Sequence, residues 1–322
     1  MPTNPYVALW SRLESFRPEE LERLVLERKV VRIVVMRGTI HLVTADDCLV
    51  LRPLTQPILD GFVRRGEHGA SLRSIDLEPV LAFARPLLAE TPSTGRELRT
   101  ALRGRFPDLD PAALAFAVSA LLPLVQVPPR GLWSQSSQVT LTPAEAWLGR
   151  PLAVEPSADE VILRYLGAFG PATVADSAAW SRLTGLRAVF ERLRAQLLTS
   201  ATSAGGSSST YPTLPRPGLE TPAPVRFLPE YDNVLLSHAD RARAISPQTR
   251  GTLAAAGGGR LGRDPRRWRR LGDLAPARGR ARDPPRRPPR PACSRGRGKA
   301  APPVPRRTAE DPLRIGLAVG LI

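Results

Sequence analysis

The chain has 322 residues, with 46 Lys and Arg against 30 Asp and Glu and a formal net charge of +16. That basicity is local: Ser246 to Ile322 carries 19 basic against 5 acidic residues, leaving 27 against 25 before it, which excludes any argument for a polyanion partner from whole-chain charge. Two distant cysteines, Cys48 and Cys293, exclude a disulfide framework and a Cys-rich metal site, and no apolar run approaches the roughly 20 residues of a spanning helix. Met1 to Trp10 lacks the basic start and apolar core of a signal peptide, so the expected home is the cytoplasm, on the nucleoid if DNA is the partner.

Taken in chain order, Pro5 to Leu13 reads as a short helix and Pro18 to Lys29 as a second, with Pro18 at its start and Glu19 and Glu20 in its first turn, where the helix dipole favours acids. Val30 to Met36 and Ile40 to Val43 read as two strands about the turn Arg37-Gly38-Thr39. Helix, helix, hairpin is the ending of a winged helix. The pattern recurs with a helix over Ser93 to Arg105, capped near Ser93 and Thr94, a second over Asp110 to Leu122, and strands Leu124 to Val127 and Val139 to Leu141 about a loop holding Arg130 and Gly131.

A third unit starts with an apolar-periodic helix, Ser157 to Phe169. Thr173 caps Val174 to Trp180, Ser181 to Gly185 turn the chain, and Leu186 to Leu198 form a helix with Leu186, Val189, Phe190, Leu193 and Leu197 inward. Arg187, Arg192 and Arg194 then face outward, either as an ordinary solvated face or as phosphate contacts. Three units in tandem favour the second reading, because each offers an exposed helix and a loop to duplex DNA. The expected DNA-binding residues are therefore Arg37 and Thr39 at the first wing, and Thr173, Arg187, Arg192 and Arg194 around the helix-turn-helix.

Two stretches carry double readings. Thr202 to Leu214 is a flexible Ser/Gly-rich linker or, with its codons shifted, a damaged hairpin. Arg263 to Arg307 is a disordered polybasic arm able to neutralise phosphates, or a coding segment translated out of frame, since GC-rich DNA so read yields mostly Arg, Pro, Ala and Gly. Synonymous codons exist with which a one-nucleotide shift from Arg263 gives an unbroken, strand-like reading. In that case the arm was never selected to bind anything.

Four blocks, PYVALWSRL, VMRGTIHLVTADD, LRYLGAFGPATVAD and FLPEYDNVLLSHADR, together resemble the bacterial winged-helix DNA-binding family that includes DNA glycosylases able to unhook interstrand crosslinks. The resemblance runs from Pro5 to about Arg243, interrupted at Thr202 to Leu214. It implies tandem winged helices, a small β-rich C-terminal domain and duplex DNA as partner. For the glycosylase members it implies a Gln-x-Gln or Gln-x-Asp motif just before the segment matching Pro5 and Tyr6, holding the water that attacks the sugar. The present sequence has no such pair there; Gln56, Gln126, Gln135 and Gln138 stand in other contexts. No catalytic residue is carried over, and without that group the rate falls by orders of magnitude.

The expected architecture is α+β, mainly helical: residues 1–72 a first winged-helix module, N-terminally truncated, 73–150 a second, 151–200 a third helix-turn-helix module, 201–224 a linker, 225–245 the start of a C-terminal domain, and 246–322 a disordered Arg/Pro/Gly-rich tail. The expected function is DNA binding without catalysis, the alternatives being a glycosylase for crosslinked or alkylated bases whose start is set too late, or a decayed gene that leaves Phe227, Leu228, Leu235 and Leu236 uncovered. No cofactor, metal or membrane is implied, and oligomeric state stays open. His41 before Asp46 and Asp47 reads as a wing or solvated-face residue rather than a catalytic one. His238 and Asp240, with Glu230 and Asp232 upstream, read as capping or pairing with Arg241 rather than as a metal site. Gly257 to Gly259 lack the Lys-Ser or Lys-Thr of a phosphate loop.

Overall fold

Thr44 and Thr94 show how local sequence sets this fold. In the computed structural model, which describes residues 1–133, 135, 137–201, 207–212, 226–242 and 245, both threonines sit extended before a helix and accept a hydrogen bond from a backbone N–H three residues on. Such a cap contributes about 1 kcal/mol to a helix start. The expectations placed on 246–322, disorder and altered frame included, lie outside the described residues. All described residues except Ile245 fall in one unit.

The chain opens with α1 (Asn4–Trp10) and α2 (Pro18–Leu26), then the hairpin β1 (Val30–Val34) and β2 (Ile40–Thr44), joined by a single 3-10 turn, Met36–Gly38. Helix α2 stops three residues before the expected Lys29 because Arg28 takes a positive φ of 59°. Four helices follow, α3 (Ala45–Leu54), α4 (Gln56–Arg65), α5 (Gly69–Leu72) and α6 (Glu78–Glu90). Next come β3 (Ser93–Thr94), α7 (Gly95–Arg105), α8 (Pro111–Leu121), β4 (Leu124–Gln126), β5 (Thr140–Pro143) and α9 (Ala144–Leu148). The last stretch holds α10 (Asp159–Phe169), α11 (Val174–Ser181), α12 (Leu186–Leu193) and the hairpin β6 (Leu198–Ala201) and β7 (Ser207–Thr210). No helix among the described residues is long and apolar enough to cross a membrane.

The two hairpins read from sequence as separate wings belong to one antiparallel sheet of order β2-β1-β4-β5-β3. Its central seam pairs Arg32 with Gln126 and Ile33 with Val125. Residues 30–43 therefore do not close a module by themselves. Their apolar face, Ile33, Val35 and Val43, packs in one core with Tyr165, Trp180 and Phe190 of the third unit. The Tyr165 and Trp180 rings stand 4.8 Å apart between centroids, and Trp180 is 1% exposed. A second core lies among α4, α6, α7 and α8, around Leu88, Leu98, Leu114 and Val118. A third, smaller one joins Tyr6, Leu9 and Leu21 of the first two helices to Leu132 of the β4–β5 loop.

The segment read as a linker or damaged hairpin contains β7, which pairs with β6 from Leu198↔Thr210 to Ala201↔Ser207. The same pairing ends α12 at Leu193 instead of Leu198, since Leu198 to Ala201 bond across the hairpin rather than along a helix. Ala172, just before the Thr173 cap, bonds Ser209 in both directions at 2.9 and 2.8 Å. The unit Ala172–α11–α12–β6–β7 thus repeats the order of β3–α7–α8–β4–β5, in which β3 pairs with β5. In both, a Thr cap and an acid three residues later form a reciprocal capping box, Thr94 with Glu97 and Thr173 with Asp176.

Candidate functional site

The tight β1–β2 turn forces Arg37 to φ 58° and Gly38 to φ 66°. The left-handed region costs a residue with a side chain about 1–2 kcal/mol, so Arg37 is held there by what its guanidinium does. It donates to the Trp180 carbonyl at the C-terminal end of α11, to Asn233 Oδ1 at 3.2 Å, and to His41 Nε2 at 3.1 Å. His41 is 3% exposed, and its Nδ1 lies 2.9 Å from the Thr39 carbonyl, which only accepts. The ring is therefore neutral with its proton on Nδ1. Burial first, and the Arg37 charge second, push its pKa down to about 4. This corrects the expectation of a solvated wing histidine: β2 is covered on the His41 side, and the ring serves as an acceptor for Arg37.

Arg32 comes next to the same place through strand register. Opposite Gln126 on β4, it donates from Nε to Gln126 Oε1 at 3.1 Å and from Nη1 to the Pro2 carbonyl at 3.4 Å. It is 8% exposed, and burial, then Arg130, push its pKa down to about 10. Among the described residues, none of its hydrogen bonds goes to a carboxylate. Arg52, also deeply buried, differs: its Nη2 donates to the Ala120 and Leu122 carbonyls at the C-terminus of α8, where the dipole favours a cation. Gly131, at φ 96°, lets the β4–β5 loop close over Arg32, for a Cβ there would stand 2.8 Å from Arg32 Cδ. Tyr6 holds the loop by donating to the Gly131 carbonyl at 2.8 Å.

Together these residues line a cleft of about 490 Å³, bounded by Arg32, Arg37, His41, Gln126, Arg130 and, from the segment 226–242, Glu230. Among the described residues, three guanidinium groups and one carboxylate stand in its lining. Two of them are largely desolvated, which is costly for a cation without a paired anion. Such a cleft suits a phosphate or another anion.

Of the residues expected to bind DNA, Arg37 and Thr39 line this cleft, Thr39 exposed and donating its hydroxyl to the Met36 carbonyl. Thr173 caps α11, and its Asp176 partner also accepts from the Ala239 N–H at 2.9 Å. Arg187 and Arg192 on α12, and Arg194 in the 3-10 turn just after it, are all exposed but unequal. Arg192 is paired with Asp159 at 2.5 Å and Arg194 with Glu191 at 3.0 Å, whereas the side chain of Arg187 has no hydrogen bond or ion pair among the described residues. They lie outside the cleft lining.

The acids near His238 act separately. Asp232 pairs with Arg12 at 2.6 Å and caps the 3-10 turn Asn233–Leu235, while Asp240 accepts from the Ala242 N–H. Phe227 is 73% and Leu228 37% exposed, and Leu235 and Leu236 are half-buried. Sequence reasoning missed Arg32 and set Gln126 aside, because only the β1–β4 pairing brings them together.

Residues 1–265 match the family model described as DNA glycosylase AlkZ-like. The chain belongs to that family. Among solved structures, the DNA glycosylase AlkZ of Streptomyces sahachiroi is similar at 22% identity and a TM-score of 0.49, over 60% of this chain and 55% of that one. This AlkZ-like chain thus spans about 55% of the length of that relative. No curated protein matches it.

Proposed function

We propose that this AlkZ-like chain binds duplex DNA, with the repeated helix-turn-helix and hairpin units as winged helices. The observation that carries the reading is the cleft in which Arg32 and Arg37 lie largely desolvated, without a hydrogen bond to a carboxylate among the described residues. A strand phosphate, or the sugar-phosphate of a nucleotide turned out of the stack, supplies the missing anion. Arg187 on α12 adds an outer backbone contact. The topology supports the winged-helix reading, since in each of two units a strand or bridge residue precedes a capped helix, a second helix and a hairpin whose last strand it joins. The test is duplex binding by the whole chain across a salt series, where log affinity should fall linearly with log salt. Binding that ignores salt, or no binding, rejects the reading.

A second reading, glycosylase activity on alkylated or crosslinked bases, is favoured by the family match over residues 1–265 and by Gln126 in the cleft wall. The Gln126 carbonyl oxygen is held by Arg32, which leaves its amide nitrogen as a donor for a water or a sugar oxygen. Release of bases from alkylated duplex, read as alkali-labile abasic sites, separates the two. Full retention of bases at saturating protein leaves binding alone.

A further inference from the structure

Outside the cleft just described, Arg37 also lines a second one, of about 560 Å³, between α4 and the turn joining α11 to α12. Its size lies within the roughly 300–1,000 Å³ of small-molecule sites. Among the described residues, Arg65 and Arg182 complete a set of three guanidinium groups in the lining, and none of the lining residues is acidic. Neither side chain has a hydrogen bond or ion pair among the described residues. The charges feel one another: after burial, Arg241 and Arg182 are what push the Arg37 pKa down to about 10. Arg182 is held at φ 64°, a strained place for an arginine, and the Arg65 guanidinium lies across Gly61, where a Cβ would stand 2.6 Å from Nη2.

The rest of the wall is apolar, with Leu54, Ile58, Leu183 and Phe62. Phe62 rests its Cε2–Cζ edge on Gly38 and remains 43% exposed. A bare phosphate would answer the arginines and leave this wall wet. A ligand with an anionic group and a flat aromatic body answers both, and base stacking on an aromatic ring beside arginines is how unpaired strands are held.

We propose that this second cleft receives an unpaired nucleotide of a DNA strand, its phosphate between Arg65 and Arg182 and its base against Phe62. The proposal rests on the DNA-binding reading and adds to it a preference for DNA with unpaired nucleotides.

The test compares the full chain on a duplex with a short single-stranded gap, carrying 2-aminopurine in the gap, against the same duplex fully paired. The wild-type protein should bind the gapped form more tightly and quench the 2-aminopurine. Phe62→Leu keeps an apolar side chain without the ring; it should reduce gapped binding by about 5- to 100-fold, the range of one lost stack. It should also abolish the quenching and leave paired-duplex affinity within about 2-fold, like any contact confined to this cleft. Arg182→Asn, which tolerates the left-handed backbone, should lower gapped binding roughly 10-fold, as for one lost charged contact. Cooperative melting of both variants shows that they are folded. Equal wild-type affinity for the two DNAs, or an unchanged gap preference in folded Phe62→Leu, overturns the proposal while duplex binding stands. Absence of binding to either DNA overturns the DNA-binding reading and this one with it.

Discussion

Replacing Arg32 by Met should make the protein more stable and a worse DNA binder. The guanidinium is held with its pKa at about 10 instead of 12.5 because folding strips its water. Each step of one in pKa corresponds to ~1.4 kcal/mol, so keeping the charge there costs about 3 kcal/mol at any pH below 10. Met preserves the length of the stem and needs no solvation. Against this gain stand the Arg32 Nε bond to Gln126 Oε1 and the long Nη1 bond to the Pro2 carbonyl, whose loss together costs about 1–2 kcal/mol. The balance is a gain of about 1–2 kcal/mol, which for a unit of this size raises the melting temperature by a few degrees. Duplex affinity should fall roughly 10- to 100-fold, the worth of one hydrogen bond from a charged donor, and the slope of log affinity on log salt should shrink by about 1. Calorimetric melting and fluorescence anisotropy at several salt concentrations measure the two effects. A variant that melts lower and binds duplex as well as the parent would refute the reasoning, since Arg32 would then be part of the scaffold.

His41 supplies a pH signature. Its folded pKa of about 4 lies below the ordinary 6.5, so the unfolded chain binds the extra proton first and stability drains away as pH falls from 6.5 towards 4, by about 3 kcal/mol in all. His41→Gln should flatten that part of the melting-temperature profile, and an unchanged profile would show that the ring is not buried neutral. On α12, Arg187→Ala should weaken duplex binding about 3- to 10-fold, more than Arg192→Ala, whose charge is already shared with Asp159. The reverse order in a salt titration would move the contact surface. Thr173→Ala removes the acceptor for the Asp176 N–H and should cost about 1 kcal/mol in chemical denaturation, with duplex affinity unchanged if the residue acts only as a cap.

Part of what depends on neighbours in sequence was legible, although the four helices from Ala45 to Glu90 were not anticipated. The hairpin about Arg37 and Gly38, the Thr94 and Asp110 helix starts and the Thr173 cap all follow from turn and capping chemistry within four residues. What depends on distant partners was not. Nothing in Val30 to Val34 says that Gln126 will stand opposite Arg32, and a strand read in isolation is expected to have a wet face, whereas β1 is buried on both sides from Val30 to Ile33. The polar run Ser207 to Thr210 has the composition of a linker and becomes a strand because Leu198 to Ala201 and Ala172 offer it backbone partners. The outward face of α12 was read correctly as exposed, but the neutralisation of Arg192 by Asp159, on α10, is a tertiary fact.

The position of Arg37 ties these observations together. Glycine there would relieve the left-handed backbone, as Gly38 does beside it, at a gain of about 1 kcal/mol. The chain keeps an arginine, and its guanidinium bonds α11 through Trp180, the segment 226–242 through Asn233, and β2 through His41. A surface wing needs none of these bonds. They fix one cation at the wall shared by both clefts, so that an anion entering either meets a charge whose geometry is already set and which is already partly desolvated. Arg37→Gly exchanges that strain for the loss of three hydrogen bonds, so its effect on stability does not decide the matter and the DNA affinities do. If the cation is held for a ligand, Arg37→Gly weakens gapped and fully paired DNA alike, whereas Phe62→Leu weakens only the gapped form.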